Sequence, residues 1–260
     1  MTRRRASAGA AWEMPRTRRN NWRLLQRVLL LLLLAEVGAA VWSSPIFWVR
    51  EVTVEGIALT RPEEVVHVMR LGERNNWVFL SPSRLAQRLQ SLPAVADAVV
   101  ARRIWGKVSV RVFERQPLAL LRTTKGSYWI DARGVPFWRT EQAAGLPEIH
   151  VQAPFSVTLG RAVSNKSVQS ALEILYRYVP EHHLPVAQIV VDREGNLCLN
   201  MKGRLPRVKI GDSTGLARKM ARAAELWQQP QLVQQAEYLD VSYVDKPVWK
   251  PRANGKGAAQ

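Results

Sequence analysis

The chain has 260 residues, a formal net charge of +17 and a single cysteine, Cys198. One cysteine excludes an intramolecular disulfide framework, so a hydrophobic core must stabilise the folded part. A basic balance of this size is typical of proteins that meet nucleic acid, anionic lipid or wall polymers. Beyond the N-terminal segment the lysines and arginines are scattered rather than clustered, so we expect no nucleic-acid partner.

The first predicted element is an apolar segment, residues 28–47, which follows an arginine-rich segment, residues 1–27. About 20 helical residues at ~1.5 Å rise per residue match the hydrocarbon core of a bilayer. The basic segment holds eight arginines and one glutamate, a local charge of +7, and the positive-inside rule therefore places it in the cytoplasm. The pattern predicts an uncleaved, single-pass type II anchor in the cell (inner) membrane, with the bulk of the chain extracytoplasmic. A signal peptide cleaved near Ala40 is the alternative.

Glu36 lies near the middle of this apolar segment. An ionised acid there costs roughly 2.5–3.5 kcal/mol on insertion scales, and the leucines from Leu29 to Leu34 offset most of that cost. One interpretation is a tolerated acid that is protonated or reaches toward water. The other is a polar contact with a partner transmembrane helix, for which Ala35 and Ala39 supply a face of small residues.

Residues 48–116 predict a small module in which helices cover one face of a sheet. Apolar residues alternate with polar ones in its strands and recur every three or four positions in its helices. The first helix is expected to run from Thr60, as N-cap, to Gly72. The expected order is a strand at 52–54, helices after Thr60 and after Ser81, and strands at 95–100 and 108–112. A two-helix layer on a three-stranded sheet buries each apolar face.

Residues 117–248 predict a larger module that is rich in strands and contains two helices. The helices are expected at 167–178 and 216–227, where apolar residues share one face. The strands are expected at 118–121, 128–130, 135–138, 189–191, 197–201, 208–210, 238–241 and 243–248. Residues 249–260 contain lysine, proline and glycine and predict a disordered basic tail. The predicted fold class is therefore α+β.

Short motifs follow one another in a defined order behind the predicted anchor. In the first module they are Val52-x-Val54-x-Gly56, Gly72-x-x-Asn75, Leu92-Pro93-x-Val95, Val108-x-Val110-x-Val112 and Glu114-Arg115-x-Pro117. In the second they are Asp131-x-x-Gly134-Val135-x-Phe137, Leu146-Pro147, Gly211-Asp212 with Lys219, and Tyr238-Leu239-Asp240-Val241. With these motifs in this order, nearly the whole chain resembles the FtsQ/DivIB family of bacterial cell-division proteins.

The resemblance implies a non-catalytic divisome scaffold with a small βααββ polypeptide-transport-associated (POTRA) domain beside the membrane and a mixed β-rich domain after it. Members bind two small coiled-coil membrane proteins, FtsB/DivIC and FtsL, and other divisome proteins at the division septum, which controls septal cell-wall synthesis. Strand addition at an exposed edge, from Tyr238 to Val248, is the implied mode of binding. The candidate partner-binding residues are Tyr238, Asp240, Val241, Tyr243, Val244, Val248 and Trp249. Alternatively, the aromatic side chains Tyr243 and Trp249 fill the core of the β domain.

The predicted domains are a cytoplasmic basic tail at 1–27, a transmembrane helix at 28–47, a POTRA domain at 48–116, a β domain at 117–248 and a tail at 249–260. We expect no enzyme activity, cofactor, metal or small-molecule substrate, because no motif with catalytic or metal-ligand spacing is apparent. Asp131, Asp192 and Asp240 each end an apolar run and are expected to cap turns. Two other functions compete, a POTRA-type outer-membrane assembly or secretion factor and a secreted wall-binding domain.

Overall fold

The computed structural model describes residues 18–71, 75–203 and 206–252, with side chains from residue 22 onward. Residues 1–17 of the predicted basic segment 1–27, the predicted helix end at Gly72 and residues 253–260 of the predicted tail 249–260 lie outside the described residues. The prediction of disorder is wrong for residues 249–251, which belong to a strand.

The first element is helix α1, Arg18–Ser43. Its part Trp22–Ser43 is long and apolar enough to cross a membrane, and none of its apolar window is buried inside the protein. The helix ends at Ser43 rather than at residue 47, as the apolar pattern predicted. Proline disfavours a helical conformation in the residue before it, and Ser44 is extended and begins a single 3₁₀ turn, Pro45–Phe47.

By their internal contacts the described residues fall into two compact units. The first unit holds residues 18–52, 71, 75–80 and 102–108. The second holds residues 53–70, 81–101, 109–203 and 206–252. The predicted domain limits, 48–116 and 117–248, rest on sequence pattern rather than on contacts and stay a prediction.

The predicted strand–helix–helix–strand–strand order after α1 is confirmed. The elements are β1, Glu51–Glu55; α2, Pro62–Met69; α3, Pro82–Leu89; β2, Val95–Arg103; and β3, Lys107–Glu114. The strands form a three-stranded sheet in the order β1-β3-β2. Val65 and Met69 of α2 and Leu85 of α3 are buried, as the helical spacing of apolar residues requires.

The start of α2 differs from the prediction, because the backbone N–H of Thr60 is bound by a carboxylate from β3 and the helix begins two residues later. The helix begins at Pro62, with Arg61 as an N-cap that makes no side-chain hydrogen bond. The Glu114 side chain instead accepts from three successive backbone N–H groups, those of residues 58–60, at 2.7–2.9 Å. Burial raises the pKa of the Glu114 carboxyl, but these donors favour its charged form and lower the pKa overall.

The second sheet has nine strands and contains both parallel and antiparallel pairs. They are β4, Ala119–Thr123; β5, Gly126–Ile130; β6, Pro136–Arg139; β7, Glu148–Val151; β8, Val186–Val191; β9, Leu197–Met201; β10, Arg207–Gly211; β11, Ala236–Asp240; and β12, Val248–Pro251. Their order is β12-β11-β10-β9-β8-β7-β4-β5-β6. The pairs β4–β7, β7–β8 and β10–β11 are parallel. The central strand β7 was not predicted, and the strand predicted at 243–248 is wrong, because residues 242–247 form turns.

Both predicted helices of this region are present, the first of them in two parts, and the structure adds a third at 230–235. The helices are α4, Lys166–Glu173; α5, Val179–His182; α6, Leu216–Trp227; and α7, Pro230–Gln235. A π-helical turn, Ile174–Tyr178, joins α4 to α5. Because Pro180 has no N–H to donate, it interrupts the regular ladder without ending the helix. The first predicted helix therefore continues past residue 178 to His182.

One face of the nine-stranded sheet is buried against these helices. Leu172 of α4 and Met220 of α6 pack in one apolar cluster with strand residues such as Ile149, Leu199 and Leu239. On the opposite face, between β8 and β12, the residues Val190, Cys198, Lys209 and Tyr238 are only half-buried. The sheet is therefore covered on one side and accessible on the other over this region.

Arg115 and Asp131 form an ion pair inside the second unit. Arg115 Nη1 lies 2.7 Å from Asp131 Oδ2, and the two side chains are only 12% and 9% exposed. Asp131 also accepts from the N–H groups of Arg133 and Val135, at 3.0 and 2.8 Å, which confirms its expected role as a turn cap. Removal of one partner from such a pair leaves a buried charge uncompensated, at a cost of about 3–5 kcal/mol. The pair thus ties the end of β3 to the turn that follows β5.

We predict that Glu114→Ala lowers the free energy of unfolding by about 2–3 kcal/mol, because it leaves backbone N–H groups of residues 58–60 without an acceptor. The folded-state pKa of Glu114 is lowered, so its contribution is present above the ordinary glutamate pKa and is lost as the pH falls through the folded value. Denaturant unfolding of the full chain against pH measures this. Glu114→Gln should be less sensitive to acid than the parent. The exposed residue Glu63, changed to Gln, is the control, and an equal response of both variants would contradict the assignment.

Candidate functional site at the sheet edge

The outermost strand of the nine-stranded sheet, β12, is exposed along its whole length. All four of its residues, Val248–Pro251, are exposed. Among the described residues it is bonded on one side only, to β11, in antiparallel register. The opposite edge of the sheet is less open, because the carbonyl of Pro136 in β6 accepts a hydrogen bond from the N–H of Gly160 at 2.8 Å. The free edge at β12 is thus the more accessible of the two.

The register on β11 decides which backbone groups of β12 are free. The N–H of Val241 donates to the carbonyl of Lys209 in β10 at 2.9 Å. Because backbone groups alternate in direction along a strand, Tyr238 and Asp240 turn their N–H and C=O groups the other way, toward β12. Their partners in register are Lys250 and Val248.

The backbone groups of Trp249 therefore point away from the sheet. Val248 and Lys250 use theirs on β11, and Trp249 lies between them. The next outward-facing position within the strand is Pro251, and Pro247 directly precedes the strand; proline has no N–H. Within the described strand the edge consequently offers outward carbonyls at Trp249 and Pro251 but an outward N–H at Trp249 alone. Prolines at the solvent side of an edge strand are a common device against unspecific strand pairing.

The side chains of β12 divide between the two faces of the sheet. Trp249 stands opposite the buried residue Leu239, on the helix-covered side, and lines a cavity of about 680 Å³ with residues of α7. It remains 42% exposed. Lys250 Nζ lies 2.9 Å from Glu237 Oε2, and this hydrogen bond lowers the pKa of Glu237 and raises that of Lys250. An ion pair between exposed side chains adds little stability, but it orients Lys250 at the edge.

The turns that connect β11 to β12 present one large aromatic side chain. Tyr243 is 80% exposed. The turns begin with Asp240, whose Oδ1 accepts from the N–H of Ser242 at 3.0 Å, as expected for a turn cap. Ser242 lies so close to Gly211 that a Cβ added there would be 2.8 Å from the Ser242 hydroxyl oxygen. The glycine at the end of β10 thus allows the turns to lie against the sheet.

The structure brings together some of the predicted partner-binding residues and separates others. Val248 and Trp249 lie on the free edge, and Tyr243 and the half-buried Val244 lie in the turns before it. The predicted edge from Tyr238 to Val248 is wrong, because β11 is bonded on both sides. The Tyr238 ring lies under Lys209 Nζ, 4.0 Å from its centroid, Asp240 caps a turn, and Val241 is fully buried.

Sequence reasoning also missed the two prolines of the edge, Pro247 and Pro251. The two prolines stand four positions apart, around Val-Trp-Lys, so an extended chain would place both on the same side. Within a sheet, proline is tolerated in an edge strand whose N–H side faces solvent. This spacing was therefore a usable signal of an edge strand.

A cavity of about 730 Å³ lies beside the turns, on the accessible face of the sheet. The buried Lys219 donates from Nζ to the carbonyl of Asp212 at 2.9 Å and to its carboxylate at 2.5 Å. These bonds and one from Thr214 lower the pKa of Asp212. Burial raises the pKa of the Cys198 thiol, which keeps it protonated. The cavity therefore presents a lysine already paired and an unreactive thiol. Among the residues described, no group of three or more His, Cys, Asp or Glu is placed to hold a metal ion.

Both regions that follow α1 match models of known protein families. Residues 47–115 match the family model described as "POTRA domain, FtsQ-type". Residues 119–245 match the model described as "Cell division protein FtsQ/DivIB, C-terminal". The chain belongs to the FtsQ/DivIB family of bacterial cell-division proteins. The family resemblance and the α+β fold class predicted from the motifs are confirmed, and β12 directly follows the second matched region.

Similar proteins within the FtsQ/DivIB family extend the match over most of the chain. The cell division protein FtsQ of Mycobacteroides abscessus is 26% identical over 228 residues, which cover 87% of this chain and 69% of the relative. FtsQ of Mycobacterium tuberculosis is 25% identical over 228 residues, with 87% and 68% covered. The cell division protein DivIB of Clostridium tetani is 20% identical over 224 residues, with 84% of each chain covered. Membership places the protein among the divisome proteins.

We predict that Gly211→Ala destabilises the fold more than Gly203→Ala does. Both glycines have a positive φ, 71° and 74°, so both substitutions strain the backbone by about 1 kcal/mol. Only at Gly211 does the new Cβ also collide, with Ser242, whereas nothing lies within 4 Å at Gly203. Denaturant unfolding of the two variants measures the difference. Equal losses would show that the turns do not depend on this close approach.

Proposed function

We propose that this FtsQ/DivIB-family protein is a non-catalytic scaffold of the divisome that binds FtsB/DivIC-type and FtsL-type coiled-coil proteins at the free edge of its nine-stranded sheet. The observation that carries the proposal is strand β12, outermost in the sheet and exposed at every residue. A partner segment that adds as a further strand would satisfy the outward carbonyls and the Trp249 N–H. Through these partners the protein would control septal cell-wall synthesis.

The pattern of donors at the edge supports a selective form of strand addition. A partner strand must donate N–H groups to the outward carbonyls. It would accept one hydrogen bond in return, from the backbone N–H of Trp249. Exposed aromatic side chains, Tyr243 and Trp249, flank this edge and are of the type that dominates interfaces. Lys246 and Lys250 lie beside it and favour acidic partner segments by steering them.

The proposed topology places the divisome-binding edge outside the cytoplasm. Arginines precede α1, and the positive-inside rule puts that side in the cytoplasm. Helix α1 would then hold the folded region against the outer surface of the cell membrane, and partner binding would bring the protein to the septum. A reporter enzyme fused after Gln260 that is active only in the cytosol would contradict this topology.

Glu36 is exposed on α1, and its contact with a partner transmembrane helix stays a prediction. If Glu36 is only a tolerated acid, Glu36→Leu should localise and recruit partners as the parent does, because leucine lowers the cost of insertion. If it is a contact, the variant should insert but recover less FtsB/DivIC-type partner from the membrane. Co-purification from cells distinguishes the two.

We predict that Trp249→Pro weakens partner binding by at least about tenfold relative to Trp249→Ala, roughly 1.4 kcal/mol. Both variants lose the indole ring, but only proline also removes the outward N–H and places a ring against the incoming strand. Neither change touches a hydrogen bond to β11, so both variants should fold. Affinity of the full chain for the purified partner is the measurement. Equal affinities of the two variants would exclude strand addition at β12.

A further inference from the structure

An exposed apolar tip projects from the turn between β2 and β3, within the first unit. Ile104 is 72% exposed and Trp105 is 70% exposed. Trp105 also has a φ of 64°, a left-handed conformation that is unfavourable for a bulky side chain. With Ile46, Phe47 and Trp77 the two residues line an apolar cavity of about 180 Å³. Apolar side chains held in water by a strained backbone indicate a contact surface. We call residues 102–107 the hairpin tip.

The hairpin tip is fixed close to the C-terminal end of α1. The N–H of Arg50 donates to the carbonyl of Gly106 in the tip at 2.9 Å. Residues 75–79 contact both the end of α1 and the short segment between Ser43 and Arg50. The Asn76 side chain donates to the carbonyl of Val41, in the last turn of α1, at 2.6 Å.

A second set of contacts rigidifies this attachment. The Trp42 and Phe79 rings lie 5.1 Å apart between centroids. The N–H of Trp77 donates to the carbonyl of Phe47 at 2.8 Å, and Arg102 Nη1 donates to the carbonyl of Val78 at 2.6 Å. The tip is therefore held beside the last turn of the helix by contacts inside one compact unit.

The charges around the tip complement an anionic surface. The described residues of this region contain four cationic side chains and one carboxylate, Glu51. The cationic side chains are Arg50, Arg102, Arg103 and Lys107. That carboxylate is already paired, with its Oε2 at 2.8 Å from Lys107 Nζ. A tryptophan flanked by arginines is the composition found at the boundary between lipid and water. Clustered basic residues are attracted to anionic headgroups.

We propose that the hairpin tip is a membrane-surface anchor, in which Ile104 and Trp105 insert into the headgroup layer at the C-terminal end of α1 and the neighbouring arginines meet anionic lipid phosphates. The proposal rests on the membrane span assumed in the proposed function. If Trp22–Ser43 crosses the bilayer, the end of α1 lies at the interface, and a tip fixed beside it lies at the same depth. The tip would give the first unit a second point of attachment to the membrane, beside the end of the helix.

The test uses the full chain in vesicles of phosphatidylethanolamine and phosphatidylglycerol, with Cys198→Ser and one nitroxide-labelled cysteine at a time. Labels replace Ile104 in the tip, Leu33 within the span and the exposed Thr124 of the β4–β5 turn. Collision with oxygen and with a water-soluble nickel complex reports the depth of each label. We expect residue 104 to lose accessibility to nickel relative to residue 124 and to gain accessibility to oxygen.

The results for the three labels distinguish the surface anchor from the membrane span. Nickel accessibility at residue 104 equal to that at residue 124, with residue 33 in lipid, would overturn the surface anchor and leave the membrane span intact. Residue 33 accessible to nickel would overturn the span itself. Shielding of residue 104 that arises only when a coiled-coil partner is added would assign the tip to a protein contact and overturn the lipid assignment.

Discussion

Backbone N–H and C=O groups must find partners when they leave water, and wherever this chain departs from regular structure a specific group meets that demand. The Asn76 side chain donates to the last carbonyls of α1. The Glu114 carboxylate accepts from three N–H groups ahead of α2, and Asp131 accepts from two in the turn after β5. Each of these polar side chains holds a loop in a fixed place within its own unit.

The same requirement explains what is special about the edge of the large sheet. A sheet that is not closed leaves a row of backbone groups unpaired at each edge, and such a row invites unspecific pairing. In the described part of β12 the outward N–H groups are reduced to a single one, at Trp249, between two prolines. The edge therefore stays available to a partner that supplies N–H groups while it disfavours pairing with a second copy of itself, which offers the same shortage of donors. Such an arrangement suits the proposed scaffold, which would have to bind other proteins without aggregating.

The sequence predicted elements with strong periodicity well and missed those defined by long-range contacts. Helix α6, Leu216–Trp227, and strand β9, Leu197–Met201, have the predicted bounds, because a clear apolar pattern determines them locally. Strand β7 was missed because it is only four residues long, too short for its alternation of polar and apolar residues to be distinctive. Parallel pairing on both sides nevertheless makes it central. Thr60 was assigned as a cap because no local signal reveals that Glu114, far along the chain, binds the Thr60 N–H and holds the segment ahead of the helix. The predicted edge failed for a similar reason: β12 falls largely in residues expected to form a disordered tail, and only its pairing with β11 shows that it is the outermost strand.

The central claim of this account is that the partner binds as a strand on the outward side of β12. Hydrogen–deuterium exchange of individual amides tests it most directly, on the full chain with and without the FtsB/DivIC-type partner. The account predicts that the Trp249 amide exchanges rapidly in the free protein and becomes protected in the complex. The Val248 and Lys250 amides, bonded to β11, should be protected in both states. A Trp249 amide that exchanges as fast in the complex as in the free protein would contradict the account.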